Sequence, residues 1–73
     1  MEIAIERMKN RLLNASWQHG VRVCRNEADP LPARGLKTIK VALRCIRKGK
    51  FNLAGKVMQS NEAAAQIWRE ALA

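Results

Sequence analysis

Apolar side chains recur at steps of three and four residues along most of this chain, and this spacing constrains the fold more than any other feature. The apolar residues that follow it in the first segment are Ile5, Met8, Leu12, Leu13, Ala15 and Trp17. Such steps place side chains on one face of an α-helix. The pattern predicts a first helix from about Glu2 to His19, with His19 near its end and Gly20 as the residue that stops it.

The same spacing returns after a break. A second helix is predicted from near Gly35 to near Lys48, ended by Gly49. The residues of its predicted apolar face are Leu36, Ile39, Ala42, Leu43 and Ile46. A third helix would begin at Asn52 and a last one at Ser60 or Asn61, because these residue types cap helix N-termini. Residues 52–72 also fit one continuous helix, and the sequence leaves this choice open.

Two prolines separate the first two predicted helices, and each disfavours helix in the residue before it. Val21 to Arg25 alternates briefly, but no second strand signal exists for it to pair with. We expect an irregular connection here, with Leu31 packed back onto the core. The chain is therefore predicted to be all-α, a single small domain over residues 1–73 with three or four short helices. A homodimer is left open, since so small a core often gains stability by oligomerising.

Positive charge is concentrated in one part of the chain. The formal net charge is +8, and the interval between Asp29 and Glu62 contains no acidic residue. The basic residues of that interval are Arg34, Lys37, Lys40, Arg44, Arg47, Lys48, Lys50 and Lys56. Basic and acidic residues cancel in the rest of the sequence. The whole net charge therefore belongs to the second predicted helix and the residues just after it.

On a helical wheel of the second helix, the basic residues form a stripe of their own. With Leu36 at zero, the apolar face covers about 240–360° and the basic residues from Lys37 to Lys48 cover about 20–120°. A solvated face usually mixes charges of both signs, whereas like charges one turn apart destabilise an isolated helix. The pattern favours contact with a polyanion. Lys50 and Lys56 would extend the contact, and Arg34 would lie at its rim.

The favoured interpretation is a small nucleic-acid-binding or regulatory protein that contacts phosphates, with DNA preferred over RNA. Aromatic strand motifs for single-stranded nucleic acid are absent, and Trp17 and Trp68 lie on apolar faces where core positions are expected. A helix-turn-helix made by the second and third helices is a variant of this hypothesis. The alternative is a protein-interaction module or inhibitor that docks an acidic surface of a larger protein complex.

Other chemistry has little support in the sequence. His19, Cys24 and Cys45 are too few for a four-ligand zinc site, and we expect no metal, no cofactor and no enzymatic activity. Two cysteines make no disulfide framework, which favours reduced thiols. The acidic residues near the N-terminus argue against a signal peptide, and the apolar runs are shorter than the ~18 residues of a membrane span. We therefore predict a cytoplasmic protein that does not contact membranes.

Overall fold

The computed structural model describes residues 2–73, which form four helices and no strand. The helices are α1, Glu2–Cys24; α2, Ala33–Arg47; α3, Phe51–Gln59; and α4, Glu62–Leu72. The all-α prediction is confirmed, and the segment after residue 50 forms two helices rather than one. The longest dimension is 38 Å, close to the ~35 Å expected for the 23 residues of α1. α1 therefore runs the length of the molecule.

α1 continues past Gly20, and the prediction that it ends there is wrong. It ends at a turn in which Asn26 has a φ of 59°. The backbone N–H of Glu27 donates to the carbonyl of Arg22 at 2.8 Å, and that of Asn26 donates to the carbonyl of Val23 at 3.1 Å. These bonds satisfy the last carbonyls of the helix. Asparagine tolerates the left-handed conformation, so this turn can end the helix without a glycine.

Gly49 ends α2 by the same kind of turn, as the sequence predicted. Its φ is 74°, and the backbone N–H of Lys50 donates to the carbonyl of Cys45 at 2.9 Å. Lys50 then becomes the N-cap of α3, and its carbonyl accepts the N–H of Ala54 at 3.0 Å. Asn52 consequently lies inside the first turn of α3. The prediction that Asn52 caps this helix is wrong, because the turn at Gly49 starts the helix earlier.

The cap of α4 is Asn61, one of the two residues that the sequence proposed. Its side-chain Oδ1 accepts the backbone N–H of Ala64 at 3.1 Å. Ser60 has a different role, since its hydroxyl donates to the carbonyl of Val57 at 2.6 Å. The two neighbouring polar residues thus serve different helices, Ser60 at the end of α3 and Asn61 at the start of α4.

The hydrophobic core lies where the four helices meet. Its buried side chains are Leu12, Ala15, Ile39, Ala42, Cys45, Ile46, Ala54, Met58, Ala64, Ile67, Trp68 and Ala71. Each helix contributes at least one alanine, and small side chains let helix backbones approach closely. Leu31 packs against this core from the connection, as predicted. Gly55 lies beside the indole ring of Trp68. A Cβ built on it would stand 3.5 Å from Nε1, an ordinary van der Waals distance, so this packing does not require a glycine.

Three side chains that the sequence assigned to the core face solvent instead. The exposed fractions are 67% for Trp17, 51% for Leu36 and 44% for Leu13. α1 turns the side that carries Ala15 inward, which leaves Leu13 and Trp17 outside. In α2, Cys45 is buried, and it lies about 180° from Leu36 on a helical wheel. Because α3 packs against α2, the buried face of α2 is rotated away from Leu36.

Candidate polyanion-binding surface

The basic side chains between Asp29 and Glu62 are all exposed to solvent. This set, called the basic surface below, consists of Arg34, Lys37, Lys40, Arg44, Arg47, Lys48, Lys50 and Lys56. Its members lie on α2, on α3 and on either side of Gly49 in the turn between them. α2 and α3 pack against each other. One pair of adjacent helices therefore carries every residue that the sequence proposed for contact with a polyanion.

The packing of α2 decides which way its basic residues point. The buried line of this helix includes Ile39, Ala42 and Ile46. On a helical wheel, Lys40 and Arg44 each lie about 160° from Ala42. They therefore point away from the core. Because the buried residues of α2 are uncharged and lie on one side of the helix, its positive charges lie together on the other side.

No salt bridge among residues 2–73 neutralises a member of the basic surface. Among residues 2–73 the salt bridges join Lys9 Nζ to Glu6 Oε1 at 3.5 Å and Arg22 to Glu70. The hydrogen bond from Arg22 to Glu70, and then the charge of Glu70, raise the pKa of Arg22 above its ordinary value. Neither salt bridge includes a member of the basic surface. Glu6 and Glu70, which could have neutralised it, are paired with cations elsewhere.

The other acidic residues have different relationships to the basic surface. Glu62 lines a depression with His19, and within the described chain no member of the basic surface lines it. Arg47, by contrast, lines a depression together with Glu2, Glu6 and Lys9, in which the two carboxylates outnumber the one ammonium group. These two carboxylates lower the positive potential near the end of α2 without forming a salt bridge with Arg47. We therefore expect Arg47 to bind a polyanion less strongly than Lys40 or Arg44 does.

A shallow groove between α2 and α3 lies beside the N-terminal part of the basic surface. Arg34, Lys37, Thr38, Val57 and Ser60 are among its lining residues. The hydroxyl of Thr38 donates to the carbonyl of Arg34 at 2.8 Å, and that of Ser60 to the carbonyl of Val57 at 2.6 Å. Both hydroxyl protons are thus already used within the chain. Sequence reasoning missed Thr38 and did not place Ser60 beside α2, because the packing of α3 on α2 brings these residues together.

α3 adds polar side chains next to the basic surface. Its exposed polar residues, with the first residue after it, are Asn52, Lys56, Gln59 and Ser60. Asparagine, lysine and glutamine can contact phosphates or base edges, as the helix-turn-helix hypothesis requires. Gly55, inside α3, counts against that hypothesis because glycine is unfavourable in a helix interior. On a helical wheel it lies within about 60° of Asn52 and Gln59, and its packing beside Trp68 does not require a glycine.

The residues considered for metal binding do not form a site. His19 lies inside α1 rather than at its end, and its Nε2 donates to the carbonyl of Asp29 at 3.1 Å. Both cysteines are free, with Cys24 exposed and Cys45 buried. In the part of the chain from residue 2 to residue 73, no three His, Cys, Asp or Glu side chains gather as metal ligands would. None of the helices in that part is both long enough and apolar enough to cross a bilayer.

Similarity to known proteins does not assign this fold to a family. No protein-family model, curated protein or solved structure matches the chain significantly. The function is therefore inferred from the exposed side chains of the molecule and from their charges.

Proposed function

We propose that this chain is a small nucleic-acid-binding protein with a regulatory role, which contacts duplex DNA in preference to RNA through the basic surface. The observation that supports the proposal is the exposure of every member of that surface, none of which has a salt-bridge partner among residues 2–73. A polyanion that neutralises such residues releases condensed counterions, and this release favours binding.

The length of α2 suits contact with a duplex. Its 15 residues span about 22 Å, and duplex DNA carries one negative charge per ~1.7 Å of axis. A helix lying along the duplex would therefore pass about 13 phosphate charges. Lys37, Lys40 and Arg44 follow one another at steps of three and four, which keeps them on one side of α2. Several of them can reach phosphates at once.

Single-stranded nucleic acid suits the surface less well. Trp17 is exposed, so its ring is available for base stacking, contrary to the prediction that it lies in the core. However, Trp17 belongs to α1, which contributes no member of the basic surface. Trp68, the other tryptophan, is buried. Phosphate contact and base stacking are therefore not combined on one helix, and a duplex remains the preferred ligand.

The proposal is tested by fluorescence anisotropy with labelled duplex DNA, duplex RNA and single strands across a salt series. If five side chains contact phosphates of the duplex, log K should fall against log salt with a slope of about −4.5. A variant that combines Lys40→Ala, Arg44→Ala and Arg47→Ala should bind more weakly, with the slope reduced by up to about 2.7.

A matched variant removes the same charge from another part of the molecule. It combines Arg7→Ala, Arg11→Ala and Arg25→Ala, all at exposed positions on α1 or in the turn after it. We expect it to keep most of the affinity and most of the salt slope. Equal losses of affinity in the two triple variants would mean that net charge alone drives binding. If the wild-type protein binds none of the nucleic acids, the proposal is disproved.

One observation favours the second candidate, an interaction module or inhibitor that docks an acidic surface of a larger protein complex. Leu36 is half exposed and lies within about 40° of Arg47 and Lys40 on the wheel of α2. Burial of an apolar side chain against a protein surface is favourable, whereas a phosphate backbone would bury little of its apolar surface. Leu36→Gln should weaken binding to an acidic protein and leave binding to DNA unchanged.

Under this proposal the chain binds its partner without catalysing a reaction and needs no metal or cofactor. We place it in the cytoplasm, where a reducing environment keeps the exposed Cys24 as a thiol. A homodimer is compatible with the proposal if it forms through α1, because this helix leaves the basic surface free.

A further inference from the structure

The outer side of α1 carries large apolar side chains whose position the packing of the chain does not explain. Ile3, Leu13 and Trp17 are exposed there, within about 80° of one another on a helical wheel. The other side of the same helix buries Leu12 and Ala15 in the core. α1 thus carries large apolar side chains on two sides, and the described chain covers those of one side.

Gly20 lies on this outer side, one helical turn beyond Trp17. A Cβ built on Gly20 would meet nothing within 4 Å, so packing within the chain does not require glycine. Glycine in a helix interior is also less favourable than alanine. A glycine at this point does allow a second backbone to approach closely beside the indole ring of Trp17. Gly20 and the exposed apolar residues therefore both indicate that another molecule packs against the outer side of α1.

The charge distribution indicates which molecule can approach this side. Residues 1–29 contain five basic and four acidic residues, a net charge of 5 − 4 = +1, whereas the basic residues of the next interval are not balanced by any acid. Two strongly basic molecules repel each other least when they meet through their least charged parts. An acidic partner would be drawn to the basic surface instead. A second copy of the chain is the occupant that fits α1.

We propose that two copies of the chain form a dimer through the outer side of α1, with the two helices antiparallel. Leu13 and Trp17 lie two positions to either side of residue 15, so a two-fold axis there would bring together residues whose numbers add up to about 30. Leu13 then contacts Trp17 of the partner subunit. Glu6 comes close to Arg25 of the partner subunit, whereas a parallel pair would bring the two copies of Glu6 together.

The size of this contact determines how the dimer should behave. α1 spans about 35 Å of the 38 Å length of the molecule, but a single helix pair is at the lower end of the size range for specific interfaces. We therefore expect a dimer that dissociates on dilution. The dimer leaves both basic surfaces free, so it does not depend on the proposed binding of nucleic acid.

Sedimentation equilibrium tests the dimer between about 5 and about 500 µM protein, a range over which mass action resolves a weak association. The average mass should rise from 8.2 kDa towards twice that value. Leu13→Gln combined with Trp17→Gln should weaken association at least about tenfold, a loss of about 1.4 kcal/mol. Leu36→Gln combined with Leu53→Gln removes two similarly exposed side chains from α2 and α3, and this control should associate as the wild type does.

A disulfide tests the orientation. In the antiparallel dimer, Glu6→Cys should form an intermolecular bond with Cys24 of the partner subunit when oxidised glutathione accepts the two electrons. The wild-type chain should not cross-link through Cys24, because the two copies of this residue are then far apart. Cross-linking of the wild type through Cys24, or its absence in a Glu6→Cys protein that dimerises, would overturn the antiparallel arrangement.

Two other results would overturn the dimer itself. The first is a wild-type protein that stays at 8.2 kDa over the whole concentration range. The second is equal loss of association in the α1 variant and in the control, which would show that general hydrophobicity is responsible. If the chain stays monomeric but vesicles of phosphatidylcholine and phosphatidylserine shift the emission of Trp17, a membrane surface occupies this side of α1 and the dimer is disproved.

Discussion

Arg22 of α1 and Glu70 of α4 form a salt bridge that joins residues 48 positions apart in the sequence. One guanidinium nitrogen contacts both carboxylate oxygens. The pair exists because α1 continues past Gly20 to Cys24, which brings Arg22 alongside α4. It connects the two helices near their C-terminal ends.

A double-mutant cycle with Arg22→Gln and Glu70→Gln should give a favourable coupling energy that shrinks as salt rises, because both side chains are partly exposed. Glu70 raises the pKa of Arg22, so this contribution is complete below the unfolded-state pKa and is lost only as pH rises through the folded-state pKa. Both values lie far above neutrality. The stabilisation from Arg22 should therefore stay constant between about pH 6 and about pH 9.

Urea unfolding followed by circular dichroism measures the coupling at each salt concentration and pH. The pair of Lys9 and Glu6, which lies within one helix and has an exposed carboxylate, serves as the comparison and should give a smaller coupling energy. A coupling near zero at low salt for Arg22 and Glu70 would contradict the expected role of the pair.

Ile46 and Leu36 belong to one predicted face of α2, and the structure separates them. Ile46 is fully buried whereas Leu36 is half exposed. Ile46→Ala should therefore lower the free energy of unfolding by about 2–5 kcal/mol, and Leu36→Ala by no more than about 0.5 kcal/mol. If Ile46→Ala does not fold, Ile46→Val should still cost about 1 kcal/mol. Equal costs at the two positions would show that the buried face of α2 includes Leu36.

The positions of the helices could be predicted from the sequence because local signals determine them. The apolar spacing, the prolines and Gly49 act over a few residues, and α2 and α4 begin and end close to the predicted residues. The buried faces of α1 and α2 were predicted less well, since they depend on which neighbour packs on which side. Leu36 and Trp17 were misplaced for this reason. α1 also continues past Gly20 and brings Arg22 to Glu70, a contact that no local pattern shows.

Asn61 and Asn52 provide a matched test of helix capping. Asn61 Oδ1 accepts the N–H of Ala64, so Asn61→Ala should lower the free energy of unfolding by about 1 kcal/mol. Asn52 lies in the first turn of α3 and is exposed, so Asn52→Ala should be neutral or slightly stabilising, because alanine favours helix. Urea unfolding distinguishes the two variants. A larger loss for Asn52→Ala would indicate that α3 begins at that residue after all.

The exposure of the residues in the candidate site could be predicted because lysine and arginine are rarely fully buried, and basic residues that share one side of a helix end up facing solvent. The electrostatic surroundings of these basic residues could not be predicted from the sequence. The pairing of Glu70 with Arg22 and the approach of Glu2 and Glu6 to Arg47 depend on how α1 lies against α4 and α2. These contacts decide how much positive charge remains available to a partner.

Arg44 should show a conflict between stability and binding. Lys40 and Lys48 lie one turn to either side of it, and like charges at this spacing cost about 0.2–0.5 kcal/mol per pair. Arg44→Gln should therefore raise the free energy of unfolding at low salt by up to about 1 kcal/mol, with the gain disappearing near ~1 M salt. The same variant should bind duplex DNA more weakly, with the salt slope reduced by about 0.9.

Arg69→Gln on α4 serves as the control and should give neither change, because Arg69 has no basic residue three or four positions away. If Arg44→Gln leaves the free energy of unfolding at low salt unchanged, the basic side chains of α2 do not repel one another measurably. The clustering of these charges would then have no cost in stability that binding must explain.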